Sequence, residues 1–234
     1  MCTRNTKQKT KIIVFKNNKN FLKDFLKHFK IKKKINVSLT CGKSWPKKYK
    51  LLKNFQKWSQ NYFFLTDERH VSYHSKNSNY NKLKNYFKKK NLQNILLSTN
   101  PKKNLYHFNK LIKKPDVNLI SIGEDGHIFS WFKEDIKHIK NSKKKSFLVQ
   151  KDDFLRYTIT PKIFKKKTKN IVLFDRISKT EIFENIFLRK KNFLYPIDLI
   201  SINEIYISYK FFKKIIEKSK KYKNLLKDRY ILHI

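Results

Sequence analysis

Short apolar runs alternate with segments of helical periodicity along this chain, and that alternation leaves few folds open to it. Residues 12–15, 35–39, 62–66, 117–122, 156–160, 171–174 and 204–208 read as strands, and 95–97 as a weak one. Between them, residues 18–33 carry Phe21, Leu22, Phe25, Leu26 and Phe29 on one helical stripe. Further helices are expected from Pro46 to about residue 55, over 79–90 behind a Ser78 cap, over 105–113, and from residue 128 after a glycine loop. Two more are expected over 178–188, with Ser178 and Glu181 as a capping box, and over 209–228. Strands that alternate with helices pair in parallel. The expected fold is therefore α/β, a doubly wound, mostly parallel sheet flanked by helices. Residues 1–10 are expected to be loose and 11–234 to form a single α/β domain.

The chain has only three glycines and no alanine. All three glycines fall in two loops, Thr40-Cys41-Gly42-Lys43-Ser44 and Gly123-Glu124-Asp125-Gly126-His127, each directly after an expected strand. Asp67 follows a third strand. Ligands of such sheets bind beyond the carboxyl ends of the strands, so the three turns are expected to converge on one rim.

The net charge of +40 invites a polyanionic partner, but the lysines are spread along the whole chain, with runs at 32–34, 88–90, 143–145 and 165–167. No zinc-finger spacing, RNA-recognition motif or arginine-rich arm accompanies them. A solvated basic surface shaped by codon bias is expected, with weak, salt-sensitive attraction to polyanions and no specific nucleic-acid site. Two cysteines provide neither a disulfide framework nor a metal cluster, which points to a cytoplasmic protein. No apolar run approaches the roughly 20 residues needed to cross a bilayer, so no membrane partner is expected.

His127 is a candidate general base, because an imidazole can deprotonate water near neutral pH. Asp125, two residues earlier, could orient that ring or cap a helix. Arg69 offers a planar fork for an anion, while Asp67 and Glu68 beside it could instead form an ion-pair network. The Gly42-Lys43-Ser44 turn would present backbone N–H groups at a helix start, a phosphate cradle.

Four segments, in order and over roughly residues 35–200, resemble the glucosamine-6-phosphate isomerase/6-phosphogluconolactonase superfamily, and its lactonase branch in particular. They are Val37 to Ser44; Trp58 through Asp67-Glu68-Arg69 to Ser78-Asn79; Asp116 through Gly123-Glu124-Asp125-Gly126-His127 to Phe132; and Arg156 to Thr160 with Lys179 downstream. The resemblance implies a hydrolase of 6-phospho-D-glucono-1,5-lactone. His127 and Asp125 would be catalytic, and Gly42, Lys43, Ser44, Asp67, Arg69, Gly126 and Lys179 would bind substrate or its phosphate. A small sugar phosphate is the implied partner, with no cofactor or metal. The sister deaminases carry a tyrosine where Arg69 stands and a glutamate where Phe132 stands, which favours the lactonase. A deaminase, or a weakened scaffold that binds RNA or anionic surfaces, is the alternative. Cys41 and Trp45 depart from the family's glycine and proline, and Cys41 would be strained if its position needed positive φ.

Overall fold

A computed structural model describes residues 10–188 and 194–233. The expected loose stretch, apart from residue 10, lies outside the described residues. Ten strands are present among the described residues: β1 (Lys11–Phe15), β2 (Asn36–Leu39), β3 (Tyr62–Leu65), β4 (Asp67–Arg69), β5 (Val117–Ile120), β6 (Ser146–Lys151), β7 (Phe154–Ile159), β8 (Lys169–Phe174), β9 (Glu204–Ser208) and β10 (Ile231–His233). Seven form one sheet in the order β10-β1-β9-β8-β5-β2-β3, and every pairing in it is parallel. This is the expected doubly wound architecture. The strand at 156–160 also exists, as β7, but it runs antiparallel between β4 and β6 in a separate three-stranded sheet.

Side-chain alternation on the large sheet separates two cores. On β8, Ile171 and Leu173 face one core while Val172 and Phe174 face the other. The first core is covered by α1 (Asn18–Phe25), α2 (Trp45–Leu52) and α3 (Gln56–Ser59), which bring Phe21, Phe25, Trp45, Tyr49 and Trp58 together. Phe21 stacks on Phe25 at 5.1 Å and Trp45 on Tyr49 at 5.8 Å. An alanine-free chain fills its interior with rings, and such pairs add about 0.5–1.5 kcal/mol each beyond their buried area. The second core lies under α5 (Pro101–Leu111), α6 (Ile136–Asn141), α7 (Thr180–Phe183), α8 (Tyr209–Lys218) and the small sheet; α4 (Asn79–Leu83) packs beside β4.

Several expected elements are corrected. The helix at 18–33 stops after a 3-10 turn at Leu26–His28, and Phe29 is extended and buried. The helix at 79–90 gives way to a 3-10 turn at Lys84–Tyr86, though Ser78 caps it as expected, its Oγ accepting from Asn81 N at 3.1 Å. Residues 95–97 form no strand. Asn94 Oδ1 captures the Leu96 N–H, and Asn104 Oδ1 takes those of Leu97 and Ser98, which removes donors from any ladder. No helix opens at residue 128, since Phe129 has φ 54 and Ile128 bridges both Ile122 and Trp131. Ser178 is no cap: it sits inside a 3-10 turn, Ile177–Lys179, and α7 starts only at Thr180, running on into a π-helical turn at Glu184–Leu188. The C-terminal helix breaks at Ser219 into α8 and α9 (Lys220–Arg229), which returns the chain to place β10 beside β1. No helix among the described residues is long and apolar enough to cross a membrane.

Candidate active site

β2, β5 and β8 are neighbours in the large sheet, and the turns at their carboxyl ends form one wall of a cavity of ≈ 520 Å³. The β2 turn supplies Thr40, Cys41, Gly42 and Lys43; the β5 turn supplies Ser121 to Asp125 and His127; the segment after β8 supplies Lys179. The opposite wall comes from the small sheet. Pairing sets Asp67 opposite Thr158 and Arg69 opposite Arg156. Strand alternation turns Asp67 and Arg69 toward the cavity and Glu68 away from it.

Glu68 is consequently structural. It is fully buried, and its carboxylate accepts from the backbone N–H groups of Arg69, Asn79 and Tyr80 and from Ser78 Oγ. Burial pushes it up to about 7, against those four donors. The ion-pair network considered for Asp67, Glu68 and Arg69 is not what forms. Asp67 accepts from Ser130 Oγ at 3.1 Å, and one Arg69 arm donates to the Asn77 carbonyl at 2.8 Å.

The loop from Gly123 to His127 is closed by Gly123 N–H donating to the His127 carbonyl at 2.8 Å and by the Ile122–Ile128 bridge. That closure lays the His127 ring over the Asp125 carboxylate, with Nδ1 2.6 Å from Oδ1. The hydrogen bond from His127 holds Asp125 down at about 2, so Asp125 is ionised and Nδ1 must donate. Nε2 is left as the basic nitrogen. The face of the ring meets Phe132, centroids 5.2 Å apart.

Gly126 does not line the cavity. It sits behind it with φ +90, and a Cβ there would fall 2.6 Å from the Tyr195 ring. Gly126→Ala is expected to cost ~2 kcal/mol in urea unfolding, from left-handed backbone strain alone before the ring must move; unchanged stability would show that the loop relaxes freely. Ser44 is likewise buried beneath its turn rather than on the cavity surface. The other expected residues, Gly42, Lys43, Asp67, Arg69, Asp125, His127 and Lys179, all line it. Cys41 has no positive φ and carries no such strain. Burial pushes its thiol up to about 12, which leaves it protonated. Trp45 donates Nε1–H to the Ile120 carbonyl at 2.8 Å and is core.

Sequence reasoning missed Arg156, Asn79, Lys82, Thr40 and Ser121 as lining residues. All but Lys82 lie within the matched segments, and that was the available signal. The cavity thus holds five cations, Lys43, Arg69, Lys82, Arg156 and Lys179, against three carboxylates, Asp67, Glu124 and Asp125. Glu124 is exposed at the rim. Lys179 is only 5% exposed, and burial lowers its pKa. Burial, and then the charge of Arg69, lower that of Arg156. Cations held under such strain favour an anionic ligand. A second cavity of ≈ 520 Å³ between β3 and α5 has no acid–base pair.

The family model for glucosamine-6-phosphate isomerases/6-phosphogluconolactonase matches residues 13–207. No curated protein matches the sequence. Among solved structures, 6-phosphogluconolactonase from Thermotoga maritima superposes with TM-score 0.70 at 19% identity, over 86% of this chain and 99% of its own. That from Plasmodium vivax gives 0.70 at 17%, over 92% and 96%. A monomeric glucosamine-6-phosphate deaminase gives 0.66 at 14%, over 88% and 100%.

Proposed function

This chain belongs to the glucosamine-6-phosphate isomerase/6-phosphogluconolactonase family, and from that premise we propose that it hydrolyses 6-phospho-D-glucono-1,5-lactone to 6-phosphogluconate. The observation that carries this reading is the Asp125–His127 pair on the wall of a cavity rich in cations. His127 Nε2 removes a proton from water as the oxygen attacks the lactone carbonyl carbon. Asp125 stabilises the imidazolium through Nδ1–H without taking the proton. The tetrahedral intermediate collapses, the bond from the carbonyl carbon to the ring oxygen breaks, and that oxygen takes the proton back from His127. The product is the open-chain acid. No electrons are transferred, so no redox cofactor takes part.

Lys43, Lys179, Arg69 and Arg156 supply charge for the dianionic phosphate, with the Gly42 turn as its seat. Phe132, at 5.2 Å from the His127 ring, has no proton to exchange, which disfavours the deaminase chemistry. The test follows the lactone directly. Purified protein is expected to consume it faster than its spontaneous hydrolysis and to release no ammonia from glucosamine 6-phosphate. Ammonia release without lactone turnover would transfer the site to the sister reaction.

A further inference from the structure

We propose that Ser121 is a substrate-binding residue whose hydroxyl donates to the phosphoryl group seated at the Gly42 turn; this rests on the lactonase reading above. Ser121 is the first residue beyond β5 and lines the cavity, yet it is only 8% exposed. Its Oγ is buried and has no hydrogen-bond partner among the described residues. A buried hydroxyl left this way is unfavourable until something accepts from it.

Its position says what that acceptor is. A Cβ built on Gly42 would fall 2.4 Å from Ser121 Oγ, so the hydroxyl lies directly against the backbone of the turn that opens α2. Thr40 Oγ1 and Ser44 Oγ, 3% and 0% exposed by residue, are unpartnered around the same turn. The first turn of α2 has no acidic side chain, and its Ser44 N-cap makes no side-chain cap bond. Lys43 and Lys179 line the same wall. Clustered donors beside a helix start and two cations suit a group with several anionic oxygens, not a single sugar hydroxyl. Ser121 differs from Thr40 in coming from the β5 turn that also carries His127. A bond from it ties the phosphoryl end of the substrate to the loop that holds the base.

The test is Ser121→Ala in the full chain. KM for the phosphorylated lactone is expected to rise about tenfold with kcat changed less than about threefold, the pattern of a lost binding contact to a charged group. The calorimetric Kd for inorganic phosphate is expected to weaken by a similar factor. The unfolding midpoint without ligand is expected not to fall, because the hydroxyl makes no bond in the free protein. Unchanged phosphate affinity overturns the proposal, and a lowered midpoint alongside it would mean that the hydroxyl is bonded within the fold. If the unsubstituted protein binds phosphate but turns over no lactone, the lactonase reading alone fails, and phosphate affinity decides the role of Ser121. Should the alanine chain not fold, Ser121→Gly removes the same hydroxyl and is read the same way.

Discussion

His127→Ala is expected to hydrolyse 6-phospho-D-glucono-1,5-lactone ~10²–10⁴-fold more slowly, with an unfolding midpoint within about 2 °C of the unsubstituted protein. The rate loss is that of a positioned general base. The preserved midpoint follows from what the ring touches: its side chain is 33% exposed, and its hydrogen bonds are to Asp125, itself 61% exposed, two residues away. Removing the imidazole strands no buried partner. The ionisation of Asp125 sets a further condition. Its carboxyl is held near 2, below the ordinary 3.8, so whatever the pair adds to stability is present above about pH 4 and lost as pH falls through about 2. Over the range in which a lactonase is assayed the carboxylate is constant, and an acid loss of activity there is not its titration. Full activity in the alanine variant would remove the proposed base.

The largest effect on stability is expected at the opposite, amino-terminal ends of the strands. Glu204→Gln should destabilise by ~3 kcal/mol, a fall of roughly 10 °C in midpoint, with lactone turnover intact. Glu204 and Lys169 begin β9 and β8, away from the strand ends that build the cavity. The Glu204 side chain is 8% exposed, with Lys169 Nζ 3.0 Å from Oε1 and His28 Nε2 2.9 Å from Oε2. Lys169 Nζ also lies 3.2 Å from His28 Nδ1 and can only donate, so Nδ1 accepts, while Nε2 is hydrogen-bonded with the Tyr206 hydroxyl at 3.2 Å beside the carboxylate. Burial alone would raise the Glu204 pKa; His28 and Lys169 outweigh it and hold the group at about 2. Being depressed below 4.5, it contributes stability that is present above that pH and lost as pH falls through about 2. The glutamine variant should lose this part of the acid dependence. Urea titrations at pH 7 and at pH 3 measure both, and equal stability of the two chains at pH 7 would show that the cluster holds nothing together.

What could be read without coordinates was set by local chemistry. The strands at 12–15 and 171–174 are apolar on both faces, and only a parallel layer covered on two sides can bury them. Asp125, Gly126 and His127 are adjacent in the chain, so a tight loop after a strand was enough to pair acid with base. The second sheet was not legible in the same way. Asp67-Glu68-Arg69 looks like a polar strand end, and it becomes β4 only because β7 lies alongside. That pairing turns Glu68 into the protein interior and Arg69 toward the cavity. The helix expected from residue 128 failed for a related reason: Ile128, Phe129 and Trp131 are all buried, and burying all three required a bridged turn with positive φ at Phe129.

Taken alone, the order of residues determined the parallel layer, the strand-end turns and the pairing of Asp125 with His127, because hydrophobic period and loop chemistry act over a few neighbours. Tertiary structure decided which cations face the cavity, that Ser44 and Gly126 stand behind it, and that Ser121 reaches the Gly42 turn. Those facts depend on contacts between segments some 80 residues apart, such as Gly42 against Ser121, and no local periodicity encodes them.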